Sequence, residues 1–317
     1  MKTILIPTDF SECANNALRF AAFMAKKTGA TLNLVHVLDV PAVGPQGSSE
    51  GTVDDVPYMI DVLKATKARM KKLLTLPFMK KVEVMQNIEI GNVTESIMKA
   101  AQKHKADLLV MGTHGAKGLQ EILIGSTAEK VVRNSHIPVI TIKDEITEPN
   151  VEKIVYATDL SDEFESVFPE VERVAKLLGS RIEVVKVVTR LQFEPTKNTQ
   201  RMIAKLKRKF KESDFSASVY YDYNKQQGIR RYAHSSKADL IALGTHGRHG
   251  LSHFFNGSIA EDLVNHSSLP VLTINLNRPA QEKAEEEKKG EDSDGEMVLK
   301  NEPSFNESFY KHQIPAI

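Results

Sequence analysis

The sequence predicts an α/β protein made of two consecutive copies of one doubly wound domain, each with an open five-stranded parallel sheet. The chain has 317 residues, about twice the usual ~150-residue size of a domain. Residues 238–247 repeat the sequence of residues 106–115 with conservative changes. In both halves, short apolar runs alternate with amphipathic stretches, which is typical of parallel strands joined by crossover helices.

In the first copy, five short apolar or β-branched runs predict the strands of a parallel sheet. They cover residues 4–7, 31–38, 82–86, 108–111 and 139–142. Helical patterns separate them at residues 11–28, 60–74, 93–104 and 126–134. The first helix has alanine and leucine on one stripe, and Ser11 is suited to cap its N-terminus. Right-handed crossovers would place helices on both faces of the sheet.

The second copy repeats this plan, with strands predicted at residues 154–157, 182–188, 217–221, 240–243 and 271–274. The first copy is longer by 18 residues, because the offset between the copies falls from 150 near their starts to 132 later on. Residues 41–58, rich in Gly, Pro, Ser and Asp, are predicted to form this extra surface loop. The predicted domains cover residues 1–145 and 151–277.

Residues 278–317 form a third region, predicted to be a charged, mobile C-terminal tail. Its first part alternates Glu and Lys and has no apolar stripe to bury. Its end contains Phe305, Phe309 and Tyr310, so a docking segment on a charged linker is an alternative to an extension without specific contacts.

Composition argues against several classes of protein. The formal net charge is +1, so no overall attraction to nucleic acid or to an anionic membrane is evident. The basic run at residues 205–211 is explained by the solvated face of a helix. The single cysteine, Cys13, cannot form an internal disulfide and favours a reducing compartment. The apolar start is too short for a signal peptide, and no run of about 18 apolar residues occurs. We therefore expect a soluble cytoplasmic protein that binds neither nucleic acid nor membrane.

The same glycine spacing lies between the fourth strand and the next helix in each copy. It reads G-x-x-G, nine residues, G-S, and covers Gly112, Gly115, Gly125 and Ser126, then Gly244, Gly247, Gly257 and Ser258. Glycine lets the backbone approach a ligand, and the first amides of a helix point toward bound anions. The pattern predicts a phosphate site in each copy. A tight strand-to-helix turn without a ligand is the alternative.

This spacing resembles the nucleotide-binding loop of ATP-binding universal stress proteins, as does the opening Ile6-Pro7-Thr8-Asp9-Phe10-Ser11. The resemblance covers residues 1–145 and 151–277. It implies an adenine nucleotide alpha hydrolase-like sheet with strand order 3-2-1-4-5 in each domain. It also implies an internal pseudo-dimer, with the domains paired through residues 139–142 and 271–274. The implied ligand is ATP or a related adenine nucleotide, with or without Mg²⁺.

The resemblance further implies which residues contact the nucleotide. Adenine and ribose would lie near the ends of the first two strands, at Pro7, Thr8, Asp9 and Val37 in the first copy and at Thr158, Asp159 and Val187 in the second. The phosphates would lie against Gly112, Gly115, Gly125, Ser126 and Thr127, and against Gly244, Gly247, Gly257 and Ser258. Met111 and Leu243 are also implied to contact the nucleotide. No catalytic residue and no metal ligand is expected.

The second copy departs from the first at several of these positions. Ala157 replaces Pro7, Ile259 replaces Thr127, and Asp222-Tyr223-Asn224 follows the third strand where the first copy has Ile90-Gly91. We therefore expect a less secure site in the second copy. A basic residue that could reach a terminal phosphate is kept in both loops, as Lys117 and Arg248.

The sequence gives little support for other kinds of catalytic or binding site. The P-loop pattern, the G-x-G-x-x-G pattern and the G-x-S-x-G pattern of serine hydrolases do not occur. His114 and His246 lie in the glycine loops, but no carboxylate accompanies both at a fixed spacing, so ordinary loop histidines are expected. No cysteine pair or H-E-x-x-H pattern indicates a metal site.

The expected function is a stress-response protein in which nucleotide occupancy is a signal rather than a source of energy. An adaptor that acts through partner binding, with partly vestigial loops, is the alternative. Slow ATP hydrolysis, autophosphorylation, nucleotide transfer and association into a homodimer are left open.

Overall fold

The computed structural model describes residues 1–39, 55–114, 125–190, 196–245 and 258–276, apart from the side chains of residues 55–58, 196 and 258. Residues 1–277 form one compact unit. The first repeat contains β1 (Thr3–Pro7), α1 (Glu12–Thr28), β2 (Thr31–Leu38), α2 (Asp55–Leu74), a short 3₁₀ helix (Pro77–Met79), β3 (Val84–Ile90), α3 (Val93–Lys103), β4 (Leu108–Gly112), α4 (Ser126–Asn134) and β5 (Val139–Ile142).

The second repeat has the same order of elements within the described residues. These are β6 (Lys153–Ala157), α5 (Phe164–Leu178), β7 (Arg181–Val188), α6 (Thr196–Lys209), β8 (Phe215–Tyr221), α7 (Lys225–Ser235), β9 (Leu240–Thr245), α8 (Ser258–His266) and β10 (Val271–Asn275). The predicted alternation of strands and helices is therefore confirmed in both halves.

The described strands form one continuous sheet in the order β3-β2-β1-β4-β5-β10-β9-β6-β7-β8. Each half has the implied order 3-2-1-4-5 and is parallel throughout. The two sheets are joined by antiparallel pairing of β5 with β10, where Ile140 lies opposite Leu272. The implied pairing through the last strands is thus confirmed. Because that pair is antiparallel, the carboxyl ends of the two sets of strands lie at opposite edges of the sheet.

Helices cover both faces of this sheet, and the core divides accordingly. On one face, α1, α2, α5 and α6 pack into a single apolar cluster that spans both repeats. On the other face, α3 and α4 form one cluster with the first repeat, and α7 and α8 form another with the second. Successive residues of β1 alternate between the faces: Ile4 and Ile6 enter the shared cluster, whereas Leu5 enters the cluster of α3 and α4.

The Ala-Asp pair that precedes the fourth strand of each repeat has a structural role. Asp107 Oδ2 accepts hydrogen bonds from the backbone amides of Lys2 and Thr3, at the start of β1. Asp239 Oδ2 accepts the equivalent bonds from Glu152 and Lys153, at 2.8 and 2.9 Å, at the start of β6. This part of the internal repeat therefore fixes the beginning of the first strand and lies away from the carboxyl ends.

The sequence places two elements of the first repeat wrongly. β3 runs from Val84 to Ile90, whereas residues 82–86 were expected. It is an edge strand whose residues are half-buried or exposed, so it lacks the buried apolar run that marks the other strands. Helix α2 begins at Asp55, so the end of the predicted loop at residues 41–58 is helical. The rest of that loop and the predicted tail lie outside the described residues.

Candidate functional site

In the first repeat, the candidate site lies where the strand order reverses. β1 pairs with β2 on one side and with β4 on the other. The turn after β1 and the loop after β4 therefore leave the same edge of the sheet side by side. Open α/β sheets bind ligands in the crevice at such a reversal. The second repeat has the equivalent crevice between β6 and β9.

The turn after β1 is held by its own side chains. The Thr8 amide donates to the Val35 carbonyl at 2.8 Å, and Thr8 Oγ1 accepts from the Phe10 amide at 3.0 Å. Asp9 Oδ1 accepts from the Ser11 amide at 2.9 Å, and Ser11 Oγ caps α1. Phe10 has a φ of 65°, a left-handed conformation that is uncommon for a bulky residue. The turn thus presents the exposed Asp9 side chain at the crevice.

The second repeat builds the same turn with other side chains. Thr158 Oγ1 accepts from the Leu160 amide at 3.1 Å, and Asp159 Oδ1 accepts from the Ser161 amide at 2.9 Å. Leu160 has a φ of 65°, like Phe10. Asp159 is half-buried, whereas Asp9 is exposed. The Thr-Asp pairs predicted from the sequence therefore occupy equivalent places with different solvent access.

The two ends of the glycine loop in the first repeat are hydrogen-bonded to each other. Buried Thr113 donates its amide to the Ile142 carbonyl at 3.0 Å, and its own carbonyl accepts from the Gly125 amide at 2.8 Å. Gly125 is the N-cap of α4 and has no side chain to bond the first-turn amides. Ser126 is exposed and Thr127 is half-buried. The N-terminus of α4 therefore begins at the end of β4, the neighbour of β1, in an arrangement that favours a bound phosphate.

The first glycine of each motif is explained by packing. A Cβ on Gly112 would lie 2.8 Å from Cys13 Sγ and 2.9 Å from the Cys13 carbonyl carbon, so α1 can approach β4 only at a glycine. A Cβ on Gly244 would lie 2.8 Å from Val167 Cγ2 in α5. Close packing therefore accounts for glycine at position 112 and favours it at position 244, and the phosphate contact of both residues stays a prediction. Gly115, Gly247 and Gly257 lie outside the described residues.

The remaining predicted positions are distributed as follows. Pro7 and its counterpart Ala157 are buried, as are Met111 and Leu243 at the ends of β4 and β9. Ser258 begins α8, with its side chain outside the described part, and Ile259, at the position of Thr127, is buried. Val37 is half-buried, and Val187 is buried. The hydroxyl of Thr127 thus has no equivalent in the second repeat.

Sequence reasoning missed a stack of side chains beside the first site. The Phe10 ring lies 4.6 Å from the His36 ring, centroid to centroid, and the Arg69 guanidinium carbon lies 4.0 Å from the Phe10 centroid. His36 Nδ1 lies 2.7 Å from the Thr8 carbonyl, so that nitrogen carries the proton and donates it. The stack packs against the turn that carries Asp9 in the first repeat.

In the second repeat, lysines occupy the positions that hold His36 and Val93 in the first repeat. The position of His36 holds Lys186, and the position of Val93, the first residue of α3, holds Lys225, the first residue of α7. Burial lowers the pKa of Lys225, and nearby Lys186 lowers it further, whereas the Asp159 carboxylate raises it. Aligning the two copies would have found this difference.

Metal ligands do not gather in either site as far as the structure describes them. No group of three or more His, Cys, Asp or Glu side chains that could hold a metal ion occurs among the described residues. Within the same residues, no helix is both long enough and apolar enough to cross a membrane.

The family model of the universal stress protein family matches this chain twice, at residues 1–143 and 150–275. The chain belongs to the universal stress protein family. Universal stress protein MJ0531 of Methanocaldococcus jannaschii is 36% identical over 146 residues, which is 45% of this chain and 82% of that protein. The domain boundaries proposed above lie close to the limits of the two matches.

Relatives of double length are also known in the family. Universal stress protein Slr1230 of Synechocystis is 24% identical over 295 residues, covering 86% of this chain and 100% of that protein. A crystal structure of a universal stress protein from Archaeoglobus fulgidus superposes with a TM-score of 0.63 at 19% identity, covering 87% of this chain and 98% of that one. This likeness shows that the fold extends over both repeats.

Proposed function

We propose that this universal stress protein binds ATP or a related adenine nucleotide as a regulatory ligand in the cytoplasm. The observation that carries the proposal is that the Asp9 turn and the N-terminus of α4, whose N-cap is a glycine, both lie at the strand-order reversal. The carboxylate can accept hydrogen bonds from ribose hydroxyls or the adenine amino group, and the helix amides can donate to phosphate oxygens.

Nucleotide occupancy is proposed as the signal, without a catalytic step. An acceptor for the nucleoside and donors for the phosphates in the described part of the first site support binding without a catalytic step. His114, at the start of the glycine loop, lies with its Nδ1 2.7 Å from Thr113 Oγ1. We assign it no role as a general base. Any Mg²⁺ would be carried by the phosphates of the nucleotide.

The decisive variant is Ser126→Asp, with Ser126→Asn as its control. Aspartate at the first residue of α4 favours the helix but repels phosphate, whereas asparagine has the same size and no charge. We expect Ser126→Asp to weaken ATP binding at one site about a hundredfold, and Ser126→Asn less than about threefold. Titration calorimetry of the whole chain would measure both. Equal ATP binding in the two variants would sink this assignment of the phosphate position.

Ser258→Asp with Ser258→Asn tests the second repeat in the same way. If both sites bind ATP, each aspartate variant removes one site and the double variant removes both. If wild-type protein gives no binding heat with ATP and carries no nucleotide after purification, the adaptor alternative replaces the proposal. Release of phosphate from ATP that is lost in Ser126→Asp and retained in Ser126→Asn would add the slow hydrolysis that the sequence left open.

A further inference from the structure

Helix α6 of the second repeat presents a strongly basic face to solvent. Its 14 residues include six Lys or Arg and no Asp or Glu. The apolar side of the helix, with Met202, Ile203 and Leu206, packs into the apolar cluster that spans both repeats. All six basic side chains are exposed. The helix therefore meets solvent with positive charge, while its larger apolar side chains are turned inward.

Three of these cations form a row along the helix. Lys197, Arg201 and Lys205 follow one another at four-residue intervals, so they lie on one side of the helix and about 6 Å apart along its axis. Their side chains, and that of Lys207, form no ion pair or hydrogen bond with another residue that the structure describes. Within the described chain, no carboxylate therefore neutralises the row.

The equivalent helix of the first repeat, α2, has a different charge pattern. Its 20 residues include Asp55 and Asp61 as well as basic residues. Lys64 pairs with Asp61 at 3.7 Å, and the Arg69 guanidinium lies over the Phe10 ring. The uninterrupted basic row is therefore a feature of α6 and not of α2.

Two exposed tyrosines lie at the end of β8, the last strand of the described sheet. Phe215 and Ala217 face the cluster beneath α5 and α6, so strand alternation places Tyr221 on the same face. Tyr221 is 58% exposed, and Tyr223, two residues later, is 75% exposed with the Arg190 guanidinium over its ring. Because α6 leads from the end of β7 back to the start of β8, its first turns lie at the edge of the sheet where β8 ends. The basic row and the Tyr221 ring therefore share one face of the sheet.

We propose that this surface binds a single-stranded nucleic acid, with phosphates along the row of Lys197, Arg201 and Lys205 and a base stacked on Tyr221. Positive charge that follows the backbone, together with aromatic rings that stack on bases, is the usual means of binding single strands without sequence preference. The formal net charge of +1 averages this surface with acidic segments elsewhere, so composition alone led us to expect no nucleic acid. The inference goes beyond the proposed function and does not depend on it.

Two other anionic partners fit this surface less well. Helices that bind membranes from the side bury an apolar face among the lipids, whereas the apolar face of α6 is already buried in the protein core. In a duplex the bases are paired and stacked on one another, so an exposed tyrosine cannot stack on them. A single strand is the partner that uses both the charge and the ring.

The test measures the fluorescence anisotropy of labelled oligo(U) and oligo(dT), each of about 12 nucleotides, with the whole chain at several salt concentrations. We expect Arg201→Gln with Lys205→Gln to weaken binding about twentyfold at about 0.1 M salt, and to reduce the slope of log affinity against log salt by about 1.4. Lys71→Gln with Lys72→Gln removes the same charge from the exposed surface of α2. This control should change the affinity less than about twofold.

Tyr221→Ala with Tyr221→Phe tests the stacking. We expect the alanine variant to bind about tenfold more weakly with an unchanged salt slope, and the phenylalanine variant to bind like the wild type, because it keeps the ring. Binding of either oligonucleotide supports the proposal, and comparison of the two distinguishes RNA from DNA as the partner. A duplex of the same length and vesicles that contain phosphatidylserine serve as competitors.

Several results would overturn this inference. These are no binding of either oligonucleotide to wild-type protein, equal affinities in the α6 and α2 variants, or equal losses in Tyr221→Ala and Tyr221→Phe. Competition by the duplex as strong as that by an unlabelled single strand, or stronger binding to the vesicles, would also do so. Calorimetric titration of ATP should give the same result in all these variants and in the wild type. Failure of this inference is therefore distinguishable from failure of the proposed function.

Discussion

The two repeats keep the same backbone devices and differ in the side chains around them. Both have a left-handed residue after the Thr-Asp pair, Phe10 or Leu160, and both anchor the first strand with an aspartate before the fourth. Around this frame, Phe10 and His36 of the stack in the first repeat are replaced by Leu160 and Lys186 in the second. The comparison teaches that the backbone of a duplicated domain can be retained while the side chains around its first turn diverge.

The largest difference in stability between equivalent variants of the two repeats is expected at Gly112 and Gly244. In Gly112→Ala the new Cβ meets the backbone of Cys13, which cannot move without shifting α1, whereas in Gly244→Ala it meets the end of the Val167 side chain. We expect Gly112→Ala to lower the free energy of unfolding by about 3 kcal/mol and Gly244→Ala by about 1 kcal/mol. Urea unfolding of both variants measures this. Equal losses would show that the two contacts are equivalent.

The next difference concerns a buried tyrosine that the first repeat lacks. Tyr232 donates to Glu183 at 2.5 Å, and the corresponding residues of the first repeat are Ala100 and Asn33. Burial, followed by this hydrogen bond, raises the pKa of Tyr232 to about 12. A raised tyrosine pKa favours the neutral form in the folded state. Its stabilisation is therefore fully present below about pH 10, the unfolded pKa, and is lost as the pH rises toward 12.

Tyr232→Phe removes both the hydrogen bond and this titration. We expect it to lower the free energy of unfolding by about 2 kcal/mol at pH 7, and by progressively less above pH 10, because the wild type then loses the same stabilisation. Urea unfolding between pH 7 and 11.5 compares the two proteins. Tyr221→Phe, at an exposed position, is the control and should run parallel to the wild type. A pH-independent difference for Tyr232→Phe would contradict the assignment.

A smaller effect is expected from exchanging the turn residue between repeats. Phe10→Leu gives the first repeat the residue that the second has, and it removes the ring between Arg69 and His36. We expect a loss of about 1 kcal/mol in stability. In a double-mutant cycle with Arg69→Gln, a coupling of about 0.5 kcal/mol should remain, since the cation lies over the ring at a partly exposed site. Strictly additive losses would show that the stack has no energetic role.

The smallest losses of unfolding free energy are expected for two threonines of the β5–β10 pair, and they should be equal in the two repeats. Thr141 Oγ1 donates to the Val271 carbonyl at 3.4 Å, and Thr273 Oγ1 donates to the Val139 carbonyl at 3.3 Å. Thr141→Val and Thr273→Val keep the side-chain shape, so each should lower the free energy of unfolding by about 0.5 kcal/mol. The two values should agree within about 0.3 kcal/mol. A clear difference in unfolding experiments would break the symmetry of the β5–β10 pair.

Sequence patterns located most of the fold because most strands are buried on both faces. β2, α4 and β5 have the bounds that were expected, and their residues carry clear apolar patterns. The bounds of the edge strand β3 were predicted wrongly because Met85 and Ile90 are exposed there and Asn87 is hydrogen-bonded to Asn33. Periodicity could not reveal that strand, since no face of it is regularly buried.

The candidate site was predicted in outline, and its details were not. The Thr-Asp turns and the helix starts follow from local sequence, and their contact with a nucleotide stays a prediction. The packing role of Gly112 depends on a residue 99 positions earlier in the chain, Cys13, and a motif cannot show such a contact. The electrostatic influence of Asp159 and Lys186 on the pKa of Lys225 likewise joins three separate segments. Such groupings become visible only when the sheet order is known.

The antiparallel contact between β5 and β10 has a consequence for how the two halves diverge. In a symmetric dimer of identical chains, every substitution appears in both subunits, and assembly weakens on dilution. Here both strands belong to one polypeptide, so the effective concentration of each half for the other is fixed by the linker. Each half can therefore accumulate substitutions at its own edge of the sheet while the other half stays unchanged. Divergence of the two candidate sites within a single chain needs no second gene and no change in assembly.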